Sequence, residues 1–257
     1  TFWMYFAMTT RFLLKNIRLI STNVNSDEYM KKFWVGLMDG DGSIQVNHWR
    51  KKSLQYRLVM KLKNTKSNYN MLMRMAKVMG GSVRRVKDDV MWVVNKKEDM
   101  IQMMKMFDKY PPLTSKKLCQ TAFLKSCLEN TSVKDYTNSR DLKYKEQSNI
   151  VNSQFNVPIY FKEWTSGFME AEGCFSMRIS KNHSFSMGQN DDQYLIEAIK
   201  QYFGAINKVR NPYRNFYFVE IYRKEVMKKM ILHCTNYPLL GEKKESLQKF
   251  SKEFNKK

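Results

Sequence analysis

The sequence predicts an α+β protein made of two copies of one αββαββα unit, related by a pseudo-twofold axis. Three repeated landmarks predict this. The stretch at 34–42 recurs at 165–173, a helix-ending glycine follows each copy (Gly80 and Gly204), and a Tyr-Pro…Lys-Lys stretch follows each glycine. Two similar units in one chain indicate an internal duplication.

Each copy of the repeated stretch is predicted to be a helix with small residues on one face. Gly36 and Gly40 in the first copy, and Gly167 and Ala171 in the second, are four residues apart. Residues at this spacing share one side of a helix, and small side chains there let two helix backbones approach closely. We therefore expect the two helices to pack together on the pseudo-twofold axis.

Each copy ends in an acidic residue followed by glycine: Asp41 in the first copy and Glu172 in the second. We expect the glycine to end the helix in a left-handed conformation. Each carboxylate then lies in the last turn, where the helix dipole disfavours negative charge. The same local rule is broken twice, which indicates function. Asp39 and Glu170, two residues earlier, are interpreted as structural.

The other elements follow in the same order in both halves. Residues 1–26 form an N-terminal extension without acids, which fits a transit peptide, a processed or fused segment, or an extra helix. Residues 129–158 are polar and aperiodic and are predicted to be a linker. In the first half, 27–128, we predict helices at about 27–41, 70–79, 97–109 and 115–128, a hairpin within 43–64, and strands at 82–86 and 90–94. In the second half, 159–257, we predict helices at about 159–172, 193–202, 224–234 and 243–254, and strands at 174–179, 185–189, 207–210 and 216–222.

Composition points to a polyanionic partner. The net charge is +21, so nucleic acid is the first candidate and an anionic membrane surface the second. No apolar run approaches the ~20 residues of a membrane span. Four cysteines without a CxxC pair are interpreted as free thiols in a reducing compartment. The 19 methionines against 12 isoleucines fit a mitochondrial genetic code that reads AUA as Met.

Between Gly42 and Lys87 the chain has 12 Lys and Arg residues and no acid. These cations alternate with apolar residues along predicted strands, so one face of a sheet would be positive and would suit nucleic acid. The residues predicted to contact nucleic acid are Gln45, Asn47, Arg50, Lys51, Lys52, Arg57, Lys61, Lys63, Arg84 and Arg85 in the first half, and Arg178 and Lys181 in the second.

With these motifs, residues 28–256 resemble the LAGLIDADG homing endonucleases and the related intron-encoded RNA maturases, in their two-motif, single-chain form. The resemblance implies two antiparallel sheets forming a DNA-binding saddle, in a monomer with an internal pseudo-dimer. It implies that Asp41 and Glu172 are catalytic and bind Mg²⁺. It places Lys116 and Lys243 near the scissile phosphates, and Asn64 and Gln189 on the hairpin floor, where they would hold metal-bound water.

The resemblance implies a site-specific, Mg²⁺-dependent endonuclease that makes double-strand breaks in DNA for intron homing, using metal-activated water. Two alternatives stay open: a maturase that binds a group I intron RNA, and a structural ribonucleoprotein subunit that has lost cleavage. The second hairpin region is the shorter one. From the motif glycine to the helix-ending glycine there are 38 residues in the first half (42 to 80) and 31 in the second (173 to 204), which predicts fewer base contacts there.

Overall fold

The computed structural model describes residues 26–129, 131–177 and 183–256. The predicted N-terminal extension, except Ser26, lies outside the described residues, and so do Arg178 and Lys181. Ser26 caps the first helix as the sequence indicates, because its Oγ accepts a 3.1 Å hydrogen bond from the Tyr29 amide.

The first half follows the predicted order of elements. Its elements are α1 (Asp27–Gly40), β1 (Gly42–Trp49), β2 (Ser53–Lys63), α2 (Lys66–Met79), β3 (Ser82–Val86), β4 (Asp89–Val94), α3 (Lys97–Lys109) and α4 (Ser115–Leu128). Gly80 ends α2 with a φ of 77°, in the left-handed region that glycine enters most readily.

The segment between the halves is more ordered than predicted. It contains α5 (Val133–Ser139), a 3₁₀ turn (Arg140–Leu142) and α6 (Gln147–Asn152). The helices were missed because they are short and mostly exposed, which leaves no apolar periodicity. The buried Tyr136 of α5 fastens the segment to the first sheet by donating a 2.8 Å hydrogen bond to the Val46 carbonyl.

The second half repeats the first with shorter strands. Its elements are α7 (Phe161–Glu172), β5 (Cys174–Ser176), β6 (Ser184–Asn190), α8 (Gln193–Phe203), β7 (Arg210–Tyr213), β8 (Phe216–Ile221), α9 (Lys224–Asn236) and α10 (Glu242–Asn255). Gly204 ends α8 with a φ of 71°. Strand β5 ends earlier than predicted, at Ser176.

The described residues form two four-stranded antiparallel sheets with matching strand orders, β1-β2-β4-β3 and β5-β6-β8-β7. Apolar side chains on one face of each sheet join a core that is shared with the helices of both halves. The other face of each sheet, called the open face below, points away from the helices. The predicted α+β fold with an internal duplication is confirmed.

The two motif helices, α1 and α7, contact each other through their backbones. A Cβ added to Gly36 would lie 2.8 Å from the Phe168 amide nitrogen, and a Cβ added to Gly167 would lie 2.8 Å from the Leu37 amide nitrogen. Real Cβ atoms do not approach that closely, so both positions require glycine. One turn later, Gly40 lies against Ala171.

An ion pair crosses this helix interface at equivalent positions of the two copies. The Nζ of Lys32, four residues before Gly36, lies 3.0 Å from Oε1 of Glu163, four residues before Gly167. Both side chains are largely buried, with 22% and 15% of their surface exposed. The pair therefore joins two matching sites that carry opposite charges.

Candidate active site and nucleic-acid interface

The motif helices end differently from the sequence prediction. Neither Gly42 nor Gly173 has a positive φ; that of Gly173 is −69°. Glycine is needed there because the chain turns back against the last helical turn. A Cβ on Gly42 would lie 2.7 Å from the Cα of Met38, and a Cβ on Gly173 would lie 2.5 Å from the Met169 carbonyl oxygen.

Asp41 and Glu172 meet at the ends of these helices. A Cβ at Gly40, the neighbour of Asp41, would lie 3.2 Å from Oε1 of Glu172. Desolvation by the surrounding protein raises the pKa of both carboxyls, although Asp41 stays open to solvent on one side, and the charge of Asp41 raises the pKa of Glu172 further. Lys117 and Lys243 act in the opposite direction on both acids.

Two lysines flank the carboxylates symmetrically, and one of them differs from the sequence prediction. Lys243 donates a 2.5 Å hydrogen bond to the Gly173 carbonyl, and Lys117 donates a 2.5 Å hydrogen bond to the Gly42 carbonyl. The predicted Lys116 instead pairs with Asp191 at 2.8 Å. The lysine that matches Lys243 is therefore Lys117.

The shift by one residue accompanies a difference in backbone conformation at the two helix starts. Helices α4 and α10 begin after matching residues, Thr114 and Gly241, but ψ is 139° at Thr114 and −146° at Gly241. The chain therefore enters the two helices with different orientations. The third residue of α4 and the second residue of α10 supply the lysine in the cleft.

The hairpin floor also differs from the prediction. The amide of Asn64, after β2, donates to the Asp88 carbonyl, and the amide of Asp191, after β6, makes the equivalent bond to the Asn215 carbonyl. Asp191 is therefore the counterpart of Asn64. Gln189 is two residues after the buried Met187 on β6, so the two side chains share one face of the strand. Gln189 therefore lies on the helix side of the sheet rather than on the open face.

The two earlier acids of the motifs, Asp39 and Glu170, hold the loops that lead into α4 and α10. These two helices carry Lys117 and Lys243 and are called the lysine helices below. Asp39 accepts hydrogen bonds from the amides of Leu113 (2.8 Å) and Thr114 (3.1 Å). Glu170 accepts from the amides of Leu240, Gly241 and Lys243. Burial raises the pKa of both acids, and these donors oppose the shift. Their geometry supports the structural interpretation.

Each lysine helix is also capped by a residue of the opposite half. Asp192 accepts hydrogen bonds from the Ser115 amide at 3.1 and 3.2 Å, and Asn68 accepts one from the Glu242 amide at 2.9 Å. Sequence reasoning missed both residues, since their only signal is a polar side chain at a helix start. These bonds fix each lysine helix against the partner half.

The open face of the first sheet carries most of the predicted nucleic-acid residues. Strand register and alternation place on it Gln45, Asn47, Arg57, Lys61, Lys63 and Arg84. A groove of about 560 Å³ runs along these strands. Arg50, Lys51 and Lys52 are exposed in the hairpin turn. Arg85 is a correction: it lies on the opposite face, with its guanidinium 4.6 Å from the ring centroid of Tyr69.

The open face of the second sheet has a different composition among the described residues. Its residues are Cys174, Ser176, Ser184, Ser186, Gly188, Asn190, Arg210, Tyr213, Phe216, Phe218 and Glu220. Arg210 lies 3.8 Å from Glu220. This face therefore lacks the positive surplus of the first sheet within the described ranges.

Comparison with known proteins identifies the architecture. The sequence profile of the family described as LAGLIDADG endonuclease matches residues 34–127 and 165–254. The chain belongs to the LAGLIDADG endonuclease family. The resemblance stated from the sequence is thus confirmed.

Two relatives of the chain are named "Probable intron-encoded endonuclease aI3". The protein from Debaryomyces hansenii is 54% identical over 89% of this chain, which spans only 39% of that relative's length. The protein from Dictyostelium citrinum is 42% identical over 88% of this chain and 96% of its own length.

Solved LAGLIDADG structures share the fold. The meganuclease I-AabMI, described as bound to uncleaved DNA, superposes with a TM-score of 0.69 at 19% identity, covering 88% of this chain and 90% of that one. I-SmaMI, described as bound to an uncleaved DNA target in the presence of calcium ions, gives a TM-score of 0.68 at 19% identity, covering 86% and 89%.

None of the described helices is long and apolar enough to span a membrane.

The ends of the LAGLIDADG helices offer oxygen donors that suit a hard cation. Within the described residues, no three His, Cys, Asp or Glu side chains gather into a complete metal site. Asp41 and Glu172 supply carboxylate oxygens from two sides of one cleft. Mg²⁺ accepts few protein carboxylates and takes waters and phosphate oxygens as its other ligands. Asp41 also lines a pocket of about 270 Å³ with Lys63 and Lys243, which is large enough for such ligands.

Proposed function

We propose that the chain is a site-specific, Mg²⁺-dependent endonuclease that breaks both strands of duplex DNA. The observation that carries the proposal is the meeting of Asp41 and Glu172 at the axis, between Lys117 and Lys243. Each half contributes one acid and one lysine. Such a pseudo-symmetric set suits two phosphodiesters on opposite strands.

The residues of the chain have distinct roles in this reaction. Asp41 and Glu172 would hold Mg²⁺, which supplies activated water and stabilisation of the leaving 3′-oxygen. Lys117 and Lys243 are fixed by carbonyls beside the acids, so their charge is already in place to offset the charge that develops on a phosphate. Asp39 and Glu170 keep the lysine helices in position.

The first sheet would provide most of the attraction to DNA. Arg57, Lys61, Lys63 and Arg84 share its open face, and Lys61 is held by Asp89 at 2.7 Å. Cations on such a surface position the protein on phosphates, and long side chains in the groove distinguish bases. The hairpin turn at Arg50–Lys52 would extend this contact.

We further propose that cleavage serves intron homing in mitochondria. The support is that two relatives are named intron-encoded endonucleases and that the sequence is rich in methionine. Binding of a group I intron RNA stays a prediction. It is tested by the double substitution Asp41→Asn with Glu172→Gln, which leaves splicing intact if a maturase role does not use the acids.

The test uses DNA that spans the intronless insertion site. We expect the purified protein with Mg²⁺ to cut both strands there, and EDTA to abolish cutting. Asp41→Asn and Glu172→Gln are each expected to lower the cleavage rate at least about 100-fold, since each removes a charged oxygen ligand that would hold Mg²⁺.

DNA binding by these two variants is measured without divalent metal and is expected to remain. The matched control is Asp108→Asn, which changes an exposed acid paired with Lys125 away from the cleft. Full cleavage activity in either cleft variant, or equal loss in the control, would contradict the proposed roles.

A further inference from the structure

Two phenylalanine rings lie side by side on the open face of the second sheet. The register pairs Phe218 with Gly188 and Phe216 with Asn190, so the rings project from the face turned away from the helices. Their centroids are 6.1 Å apart and their planes differ by 14°. Both side chains are only partly buried, so the rings present apolar surface to a ligand.

Gly188 makes this arrangement possible. A Cβ at this position would lie 2.5 Å from Cζ of Phe216 and 2.8 Å from the Cβ of Phe218. The Phe216 ring therefore occupies the space above the glycine and lies low on the sheet. A glycine within a strand weakens it and often marks a place where another molecule comes close.

The charged side chains on this face, Arg210 and Glu220, contact each other and their neighbours. The guanidinium of Arg210 is 3.8 Å from Glu220 and lies 5.8 Å from the ring centroid of Phe218. Ser184 also donates a 3.0 Å hydrogen bond to Glu220. The rings are therefore the apolar surface at the centre of this face, beside the exposed side chains of Asn190 and Arg210, whereas cations dominate the matching face of the first sheet.

The first sheet has apolar residues on its open face too. Those at its centre are buried, and the exposed ones, Trp49 and Val86, lie at the ends of their strands. Val59, Met91 and Val93 are between 4% and 9% exposed. The difference between the sheets is thus one of accessible chemistry. One open face offers several cations with amide side chains, and the other offers the rings, with Arg210 lying beside Glu220.

The ring surface continues from the acid cleft. Cys174 directly follows Glu172 and Gly173, and it pairs with Ser186. Ser186 is two residues before Gly188 on β6, so it shares the open face with Gly188. A duplex lying over the carboxylates and along this sheet would therefore pass over Phe216 and Phe218. The apolar group that duplex DNA exposes in its major groove is the C5-methyl of thymine.

We propose that Phe216 and Phe218 recognise thymine methyl groups in the half of the DNA target that lies over the second sheet. This inference rests on the proposed function and adds a substrate property to it. The target is asymmetric: one half is selected by thymine methyls, and the other by polar contacts from the first sheet.

The experiment measures binding in EDTA, so that it does not depend on cleavage. Bound duplexes are selected from a randomised library, and the preferred duplex is then made with deoxyuridine in place of thymidine in one half at a time. We expect about a fourfold loss of affinity for each contacted methyl removed, in one half only. The wild-type protein suffices, so folding of a variant does not limit the result.

Two variants assign the halves. Phe218→Ser is expected to make the protein indifferent to the methyl groups, and the control Arg84→Gln is expected to retain that dependence while changing base preference in the other half. Specific binding without any methyl dependence, or methyl dependence that survives Phe218→Ser, would overturn this inference alone. If no specific duplex is selected, the proposed function fails first.

Discussion

The two halves of the molecule agree at the axis and differ at the open faces of their sheets. At the axis, each half supplies a glycine contact, a terminal acid, a structural acid and a lysine on a backbone carbonyl. On the open faces, four cations of the first sheet face away from the core, whereas the second sheet carries Phe216 and Phe218. The duplication therefore kept its chemistry where the halves meet and diverged where they face a ligand.

The largest expected effect tests the agreement at the axis. Gly36→Val is expected to destabilise the protein by about 3 kcal/mol or more, because the side chain would enter the Trp164 backbone. Gly167→Val is expected to cost as much. Thermal unfolding measures both, with Gly204→Asn as the control, since a Cβ there would meet only the end of the flexible Lys229 side chain and Asn tolerates its left-handed backbone (φ 71°, ψ 30°). A mild effect at only one axis glycine would contradict equivalent packing.

The lysines come next in magnitude. Lys117→Met and Lys243→Met are each expected to lower the cleavage rate about 100- to 1000-fold, because each removes a fixed charge beside the acids. Lys116→Met is the matched control and is expected to keep most activity. Single-turnover cleavage separates these cases, and a severe loss in Lys116→Met with normal activity in Lys117→Met would restore the sequence-based assignment.

The two residues that cap the lysine helices from the opposite half, Asp192 and Asn68, differ in charge, and this difference predicts a pH effect. Burial raises the pKa of Asp192 to about 6. The hydrogen bonds from Ser115 oppose this shift, and the charges of Asp39 and Asp191 add to it. Because the pKa of Asp192 is higher in the folded state than in the unfolded state, its protonation stabilises the fold below the unfolded pKa of about 4. This stabilisation is lost as the pH rises to about 6. Asp192→Asn, which imitates Asn68, is therefore expected to gain on the order of 2 kcal/mol over the wild type between pH 4 and 7. Denaturant unfolding at several pH values measures this gain, and a constant difference would contradict it.

The smallest expected effect concerns the ion pair between Lys32 and Glu163. Lys32→Glu sets two acids against each other at the helix interface and is expected to cost about 1–2 kcal/mol, more than an exposed pair because both side chains are largely buried. The second change Glu163→Lys is expected to restore most of the loss. Additive losses in the double variant would show that the pair does not couple the halves.

The repeat made the fold predictable, and it also predicted that Asp41 and Glu172 meet, because a glycine and a terminal acid recur at matching positions of the two copies. Their catalytic role stays a prediction. Lys117 could not be identified, since the sequence does not show that the backbone enters the two lysine helices with different conformations at Thr114 and Gly241. Gln189 and Arg85 were misplaced because short strands give too little alternation to fix which face a residue occupies. Asp192 and Asn68 were missed because a polar residue at a helix start is a common cap with no sign of its distant partner.

The Lys32–Glu163 pair has a consequence for assembly. If two polypeptides exchanged partners so that like halves met, lysine would face lysine in one pairing and glutamate would face glutamate in the other. Opposite charges at matching positions thus favour mixed pairing over self-association. Cut into separate fragments and coexpressed, the halves are expected to recombine as an obligate heterodimer.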